Sequence, residues 1–115
     1  GNTKALTKAG AGKYFDARVE LLRRGGVLRG DAEAQVIRES REKAKEFKKG
    51  QPVHYYDLGW SVGYVAGLPD GNACMCIQPI GAYKAKTPSA VYVPVEDVRA
   101  IDPRYLRKPW GLLSS

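Results

Sequence analysis

Cysteine, histidine and long apolar runs are all scarce in this sequence, and each scarcity removes a class of protein. The two cysteines, Cys74 and Cys76, stand one residue apart. Joining them would force a strained ring within a strand, so an internal disulfide is not expected and reduced thiols fit a cytoplasmic protein. His54 is the only histidine. Together with Cys74 and Cys76 it offers three soft ligands, whereas structural zinc takes four, usually as two separated pairs. No metal and no cofactor is therefore expected, and the thiols read as core or half-buried groups. No apolar run approaches the ~20 residues of a bilayer crossing. The opening GNTK has no initiator Met and no apolar leader segment, so Gly1 is expected to be either an added remnant or a processing scar.

Catalytic constellations are missing too. A general acid–base role for His54 needs an orienting carboxylate and a reacting partner, and Asp57 is the one acid close to it in sequence. The run Gly10-Ala11-Gly12-Lys13 lacks the preceding strand, the full spacing and the following hydroxyl of a phosphate-binding loop. It reads as a flexible lead-in. No Ser-His-Asp set, carboxylate pair or dinucleotide fingerprint can be assembled. The expectation is a protein that is not an enzyme.

What the sequence does hold is positive charge, unevenly placed. The formal charge is +7. Residues 1–50 carry thirteen Lys/Arg against seven Asp/Glu, residues 51–102 three against five, and residues 103–115 three against none. Basic flanks around a mildly acidic middle suit contact with nucleic acid, an anionic membrane or an acidic protein, and also plain solubility.

The periodicity divides the chain into a lead at 1–12, a helical arm at 13–49, a β domain at 50–102 and a basic tail at 103–115. Residues 13–24 form a helical pattern with Tyr14, Phe15, Val19, Leu21 and Leu22 on one broad face, ended by Gly25-Gly26. A second helix is expected from Asp31, as N-cap, to Lys49. Its buried seam would be Val36, Ile37, Ser40, Ala44 and Phe47. Arg38, Arg41, Lys45, Lys48 and Lys49 gather on another arc. From Gly50 the period becomes two, which predicts about five short antiparallel strands over 52–101. Gly63 suggests a bulge or bend, residues 69–72 (PDGN) a turn, and residues 94–97 a single helical turn before the last strand.

Three stretches carry a resemblance: Gly50 and Val53 as G-x-x-V, Trp60, Gly63 and Val65 as W-x-x-G-x-V, and residues 93–101 as VPVEDVRAI. They resemble the SH3-like small β-barrel superfamily, in which a one-turn helix separates the final two strands. The fold class implied is α+β: two helices followed by a five-stranded SH3-like barrel. That superfamily includes modules that bind DNA, RNA, ribosomes, peptides and, rarely, small molecules. The plasmid-type dihydrofolate reductases are similar short barrels, but their pore needs a Val-Gln-Ile-Tyr run where this chain has Val91-Tyr92-Val93-Pro94. Their active site is not carried over.

Aromatic residues are dense in the expected barrel, where they can stack on bases, hold a proline-rich peptide, or fill the core. Trp60 is expected in the core. Tyr83, in a long connection with Lys84 and Lys86, is the expected exposed contact. The tail joins Arg104, Arg107 and Lys108 to Trp110, either as a binding segment or packed on the helices. The leading expectation is a binding module whose basic helices, loop and tail meet nucleic acid. The alternatives are a protein-interaction adaptor or assembly subunit, and a small-molecule site in an oligomer of barrels.

Overall fold

In the computed structural model, residues 4–69, 71–80 and 89–101 are described. The chain is α+β, with two helices, α1 (Lys8–Arg24) and α2 (Arg29–Lys43), and one five-stranded antiparallel sheet. The strands are β1 (Pro52–Tyr56), β2 (Trp60–Gly67), β3 (Cys74–Pro79), β4 (Val91–Pro94) and β5 (Val98–Ala100), in the order β4-β3-β2-β1-β5. The single turn expected before the last strand is a 3-10 turn, Val95–Asp97.

The expected closure into a barrel is not made by strand pairing: β4 and β5 are the two edges of the sheet. The outer edge of β4 is taken instead by the N-terminal segment. Leu6 and Tyr92 exchange both backbone hydrogen bonds at 2.8 Å, and the Ala5 N–H donates to Asp57 Oδ1 at 2.9 Å. The first residues thus tie one sheet edge to the turn between β1 and β2. Pairing of this kind covers donors and acceptors that an open edge would expose.

Helix α1 begins earlier than its apolar pattern suggested. Thr7 is the N-cap, its Oγ1 accepting from the Gly10 N–H at 3.1 Å, and Ala11 is fully buried. The Gly-Ala-Gly-Lys run is therefore helix rather than flexible lead-in. Small side chains there let α1 lie close to Leu6: a Cβ added to Gly10 would stand 3.3 Å from Leu6 Cβ. Leu21, expected on the buried face, is 63% exposed.

Helix α2 also has other limits than expected. Leu28 holds the N-cap position in extended conformation with no side-chain cap, while Asp31 sits inside the first turn, where its charge favours the helix dipole. The helix ends at Lys43 and tightens into a 3-10 turn, Ala44–Glu46. Phe47 then leaves in extended conformation and is buried. Burying Phe47 against the sheet needs the chain to turn away from the helix axis, so Lys48 and Lys49 lie beyond the helix.

Two apolar clusters result. One gathers Val53, Tyr55, Val65, Met75, Ile77, Val93, Val95 and Val98 under Ala44 and Phe47. The other joins Val19, Ala32 and Val36 of the helices to Ala73, with Tyr14, Phe15, Leu22 and Val27 partly covering it. Ser40, buried between them, donates to the carbonyls of Ile37 at 2.8 Å and Asn72 at 3.2 Å. Gly63 marks a close approach and not a bulge, since a Cβ there would lie 2.7 Å from the Gln78 carbonyl oxygen and 2.9 Å from Ile77 Cγ2. The irregularity in β2 falls between Val65 and Gly67.

Candidate nucleic-acid interface

The outward side of α2 and of the 3-10 turn that follows it brings together three of the expected cations. Arg38, Arg41 and Lys45 line a shallow groove of about 560 Å³ with Ala34, Ile37 and Glu42. All three are exposed. Arg38 and Arg41 are i, i+3 neighbours on α2, and Lys45 follows in the 3-10 turn Ala44–Glu46. Ile37, expected in the buried seam, is only half-buried and forms part of this groove. Lys45 stands 3.9 Å from the Glu42 carboxylate. The groove therefore presents an excess of positive charge with an apolar floor.

Lys48 and Lys49 are exposed in the link between the 3-10 turn Ala44–Glu46 and β1, so they do not extend the helical arc. Lys84, Lys86, Arg104, Arg107, Lys108, Tyr83 and Trp110 lie outside the described residues.

A neighbouring groove of about 510 Å³ runs between the end of α2 and the 3-10 turn Val95–Asp97. Glu42, Glu46 and Glu96 line it against Lys43 and Lys45. Three carboxylates against two ammonium groups make it a poor seat for phosphate. Glu96, which lines it, also belongs to the polar tie between the two halves of the chain. Tyr14 Oη donates to Glu96 Oε1 at 2.6 Å, and Arg18 Nη1 stands 3.5 Å from the same oxygen. Burial alone would raise the Glu96 carboxyl, but the Tyr14 hydroxyl, a backbone amide, Lys43 and Arg18 together hold it below its ordinary value. Tyr14 moves the opposite way, raised by burial and by the Glu96 carboxylate.

The residues weighed for chemistry are placed as follows. Cys74 is buried, and burial together with Glu96 and Asp97 pushes its thiol up to about 12, away from the reactive thiolate. Cys76 is half-buried on the same strand. His54 pairs in register with Arg99 of β5. Among the described residues no three His, Cys, Asp or Glu side chains converge as metal ligands.

Trp60 overturns its expected place in the core: 46% of it is exposed. Its indole packs edge-to-face with Tyr56, centroids 5.4 Å apart at 80°, and the Arg99 guanidinium carbon lies 4.5 Å from its centroid. Tyr64, further along β2, is 44% exposed. Strand alternation signals this face, because Gly63 and Val65 turn inward and residues 60, 62 and 64 take the other side. No protein-family model, no curated protein and no solved structure matches this chain. Among the described residues no helix is long and apolar enough to cross a membrane.

Proposed function

We propose that this chain is a non-enzymatic binding module that associates with nucleic acid through the outward face of α2. The observation that carries the proposal is the groove lined together by Arg38 and Arg41 of α2 and Lys45 of the 3-10 turn that follows it, all three exposed. Cations spaced along a helix can neutralise successive phosphates while the helix stays anchored by its other side, and Val36 and Ser40 anchor this one. The strand order and the 3-10 turn between β4 and β5 support taking the sheet as an SH3-like barrel. Residues 5 and 6 link the outer edge of β4 to the turn after β1. In this reading the sheet is the scaffold that sets the helix pair in place.

Titration with DNA and RNA at two salt concentrations tests the proposal. Each phosphate neutralised makes log affinity fall with log salt by about 0.9 for duplex DNA and about 0.7 for a single strand. Reversing Arg38, Arg41 and Lys45 to Glu should weaken binding to every sequence alike and flatten that slope by about 2 to 3 for a duplex. Failure of the unaltered protein to bind either nucleic acid at low salt would sink the proposal. Equal binding by the reversed protein would move the site off α2.

A further inference from the structure

The outer face of the sheet combines exposed aromatic rings with an unusual charge pattern. The five strands contain no aspartate and no glutamate, and Arg99 is their one Lys or Arg. Register places Tyr56 opposite Trp60 and His54 opposite both Val62 and Arg99, so these side chains share the face turned away from Val53 and Tyr55. Tyr64 continues the row along β2. Ile80, whose N–H donates to the Val62 carbonyl at 3.2 Å, adds an exposed apolar side chain at its border.

We propose that this face is a stacking platform for the unpaired bases of single-stranded nucleic acid. The inference rests on the nucleic-acid reading above and adds a second surface and a strand preference to it. Trp60 and Tyr64 offer ring surface to solvent, and Trp60 is held by Arg99 and Tyr56. A ring already fixed loses little freedom when a base stacks on it, which favours binding. Every base has a π-face, so such a platform tolerates sequence. In a duplex those faces are buried in the stack, so only an unpaired strand can present them. The phosphates of such a strand meet no carboxylate within the strands, and Arg99 supplies a complementary cation that can also stack on a base.

The test compares an unstructured single strand, oligo(dT), with a duplex of equal length. Replacing Trp60 and Tyr64 by Ala should weaken oligo(dT) binding by roughly 5- to 150-fold for each base left unstacked, with duplex binding unchanged. Phe at either position should retain most of the affinity. In a Trp110→Phe background Trp60 is the only tryptophan, and its emission should be quenched as oligo(dT) saturates the protein. This readout needs no change to the platform, so it decides the matter if the alanine variants unfold. Absence of quenching at saturation, or equal oligo(dT) affinity in folded alanine variants, overturns the platform while duplex binding through α2 stands. If the unaltered protein binds neither oligo(dT) nor duplex, the nucleic-acid reading falls and takes the platform with it. Quenching by a proline-rich peptide with none by oligo(dT) would reassign the face to a protein partner.

Discussion

The sheet and the helix pair are built to different standards of packing. Met75, Ile77, Val53, Val65 and Val93 are all sealed from solvent in the sheet core, with Ala44 and Phe47 laid over them. The helical cluster buries Val19, Val36, Ala32 and Ala73, and its larger members Tyr14, Phe15 and Leu22 remain partly open. Each buried methylene contributes about 0.8 kcal/mol, so a cluster with two alanines among its four buried residues is held far less firmly. The helices should accordingly open locally before the sheet does.

Paired core truncations would break that comparison most visibly. Ile77→Ala should destabilise the whole chain by about 2–5 kcal/mol, because it leaves a cavity in a fully sealed core. Val36→Ala removes two buried methylene equivalents from a cluster whose larger members are partly open, and should cost about 1–2 kcal/mol. Native-state hydrogen exchange separates the two. Ile77→Ala should lower protection in helices and sheet together, whereas Val36→Ala should lower it over residues 8–43 and leave β2 and β3 nearly unchanged. If Val36→Ala weakens β2 and β3 equally, the two clusters are one cooperative unit.

The same contrast shows which parts of the structure were legible in the sequence. Period two after Gly50 announced the strands, since one buried face demands alternation, and VPVEDVRAI announced the turn before β5. The helix limits were harder to read. Thr7 caps α1 ahead of the first apolar residue of the pattern, and Phe47 was counted on the helical seam although it is buried after the helix has ended. Ala44 and Phe47 also precede the boundary expected at residue 50, yet they belong to the sheet core. Period alone does not say when a side chain is buried by leaving the helix. Trp60 was misplaced for another reason: its size argued for the core, while the alternation of β2 put it outside, and the alternation was the better guide. The α2 cations were legible as a face, but the number that remained on the helix depended on where it stopped. The cover on the outer edge of β4 was not legible at all, because it comes from Leu6, which carries no strand pattern.

A smaller effect sharpens the seam between the two regions. Tyr14, Arg18 and Glu96 tie α1 to the 3-10 turn Val95–Asp97, and the tie is partly open to water. Because Glu96 is held below its ordinary value in the folded chain, its contribution is complete above the ordinary carboxylate range. It is lost as pH falls through that range and below it. Tyr14 and Cys74 are raised, so their contributions are complete below the ordinary phenol and thiol ranges. They are lost as pH rises, for Cys74 towards about 12. Tyr14→Phe should cost about 0.5–1 kcal/mol near neutrality, at the low end for a hydrogen bond because solvent screens the pair. It should also flatten both the acid limb and the alkaline limb of a melting-temperature profile. A profile parallel to that of the unaltered protein would mean that the hydrogen bond adds nothing to docking of the helices.

The smallest expected effect lies on the outward side of α2 and the 3-10 turn Ala44–Glu46. Lys45 and Glu42 approach to 3.9 Å with about three-quarters of each side chain exposed. At that distance the attraction in water is about 1 kcal/mol before the entropy of holding two long side chains is subtracted. Lys45→Gln should therefore shift stability by no more than about 0.5 kcal/mol, with the shift shrinking further as salt is added. Arg38→Gln on the same face should behave alike. Thermal melts at low and high salt, repeated over a range of protein concentrations, check both. A loss well above about 1 kcal/mol that also depends on protein concentration would show that this face is covered by a second copy in solution. The cations would then serve assembly, and the groove would be closed to nucleic acid.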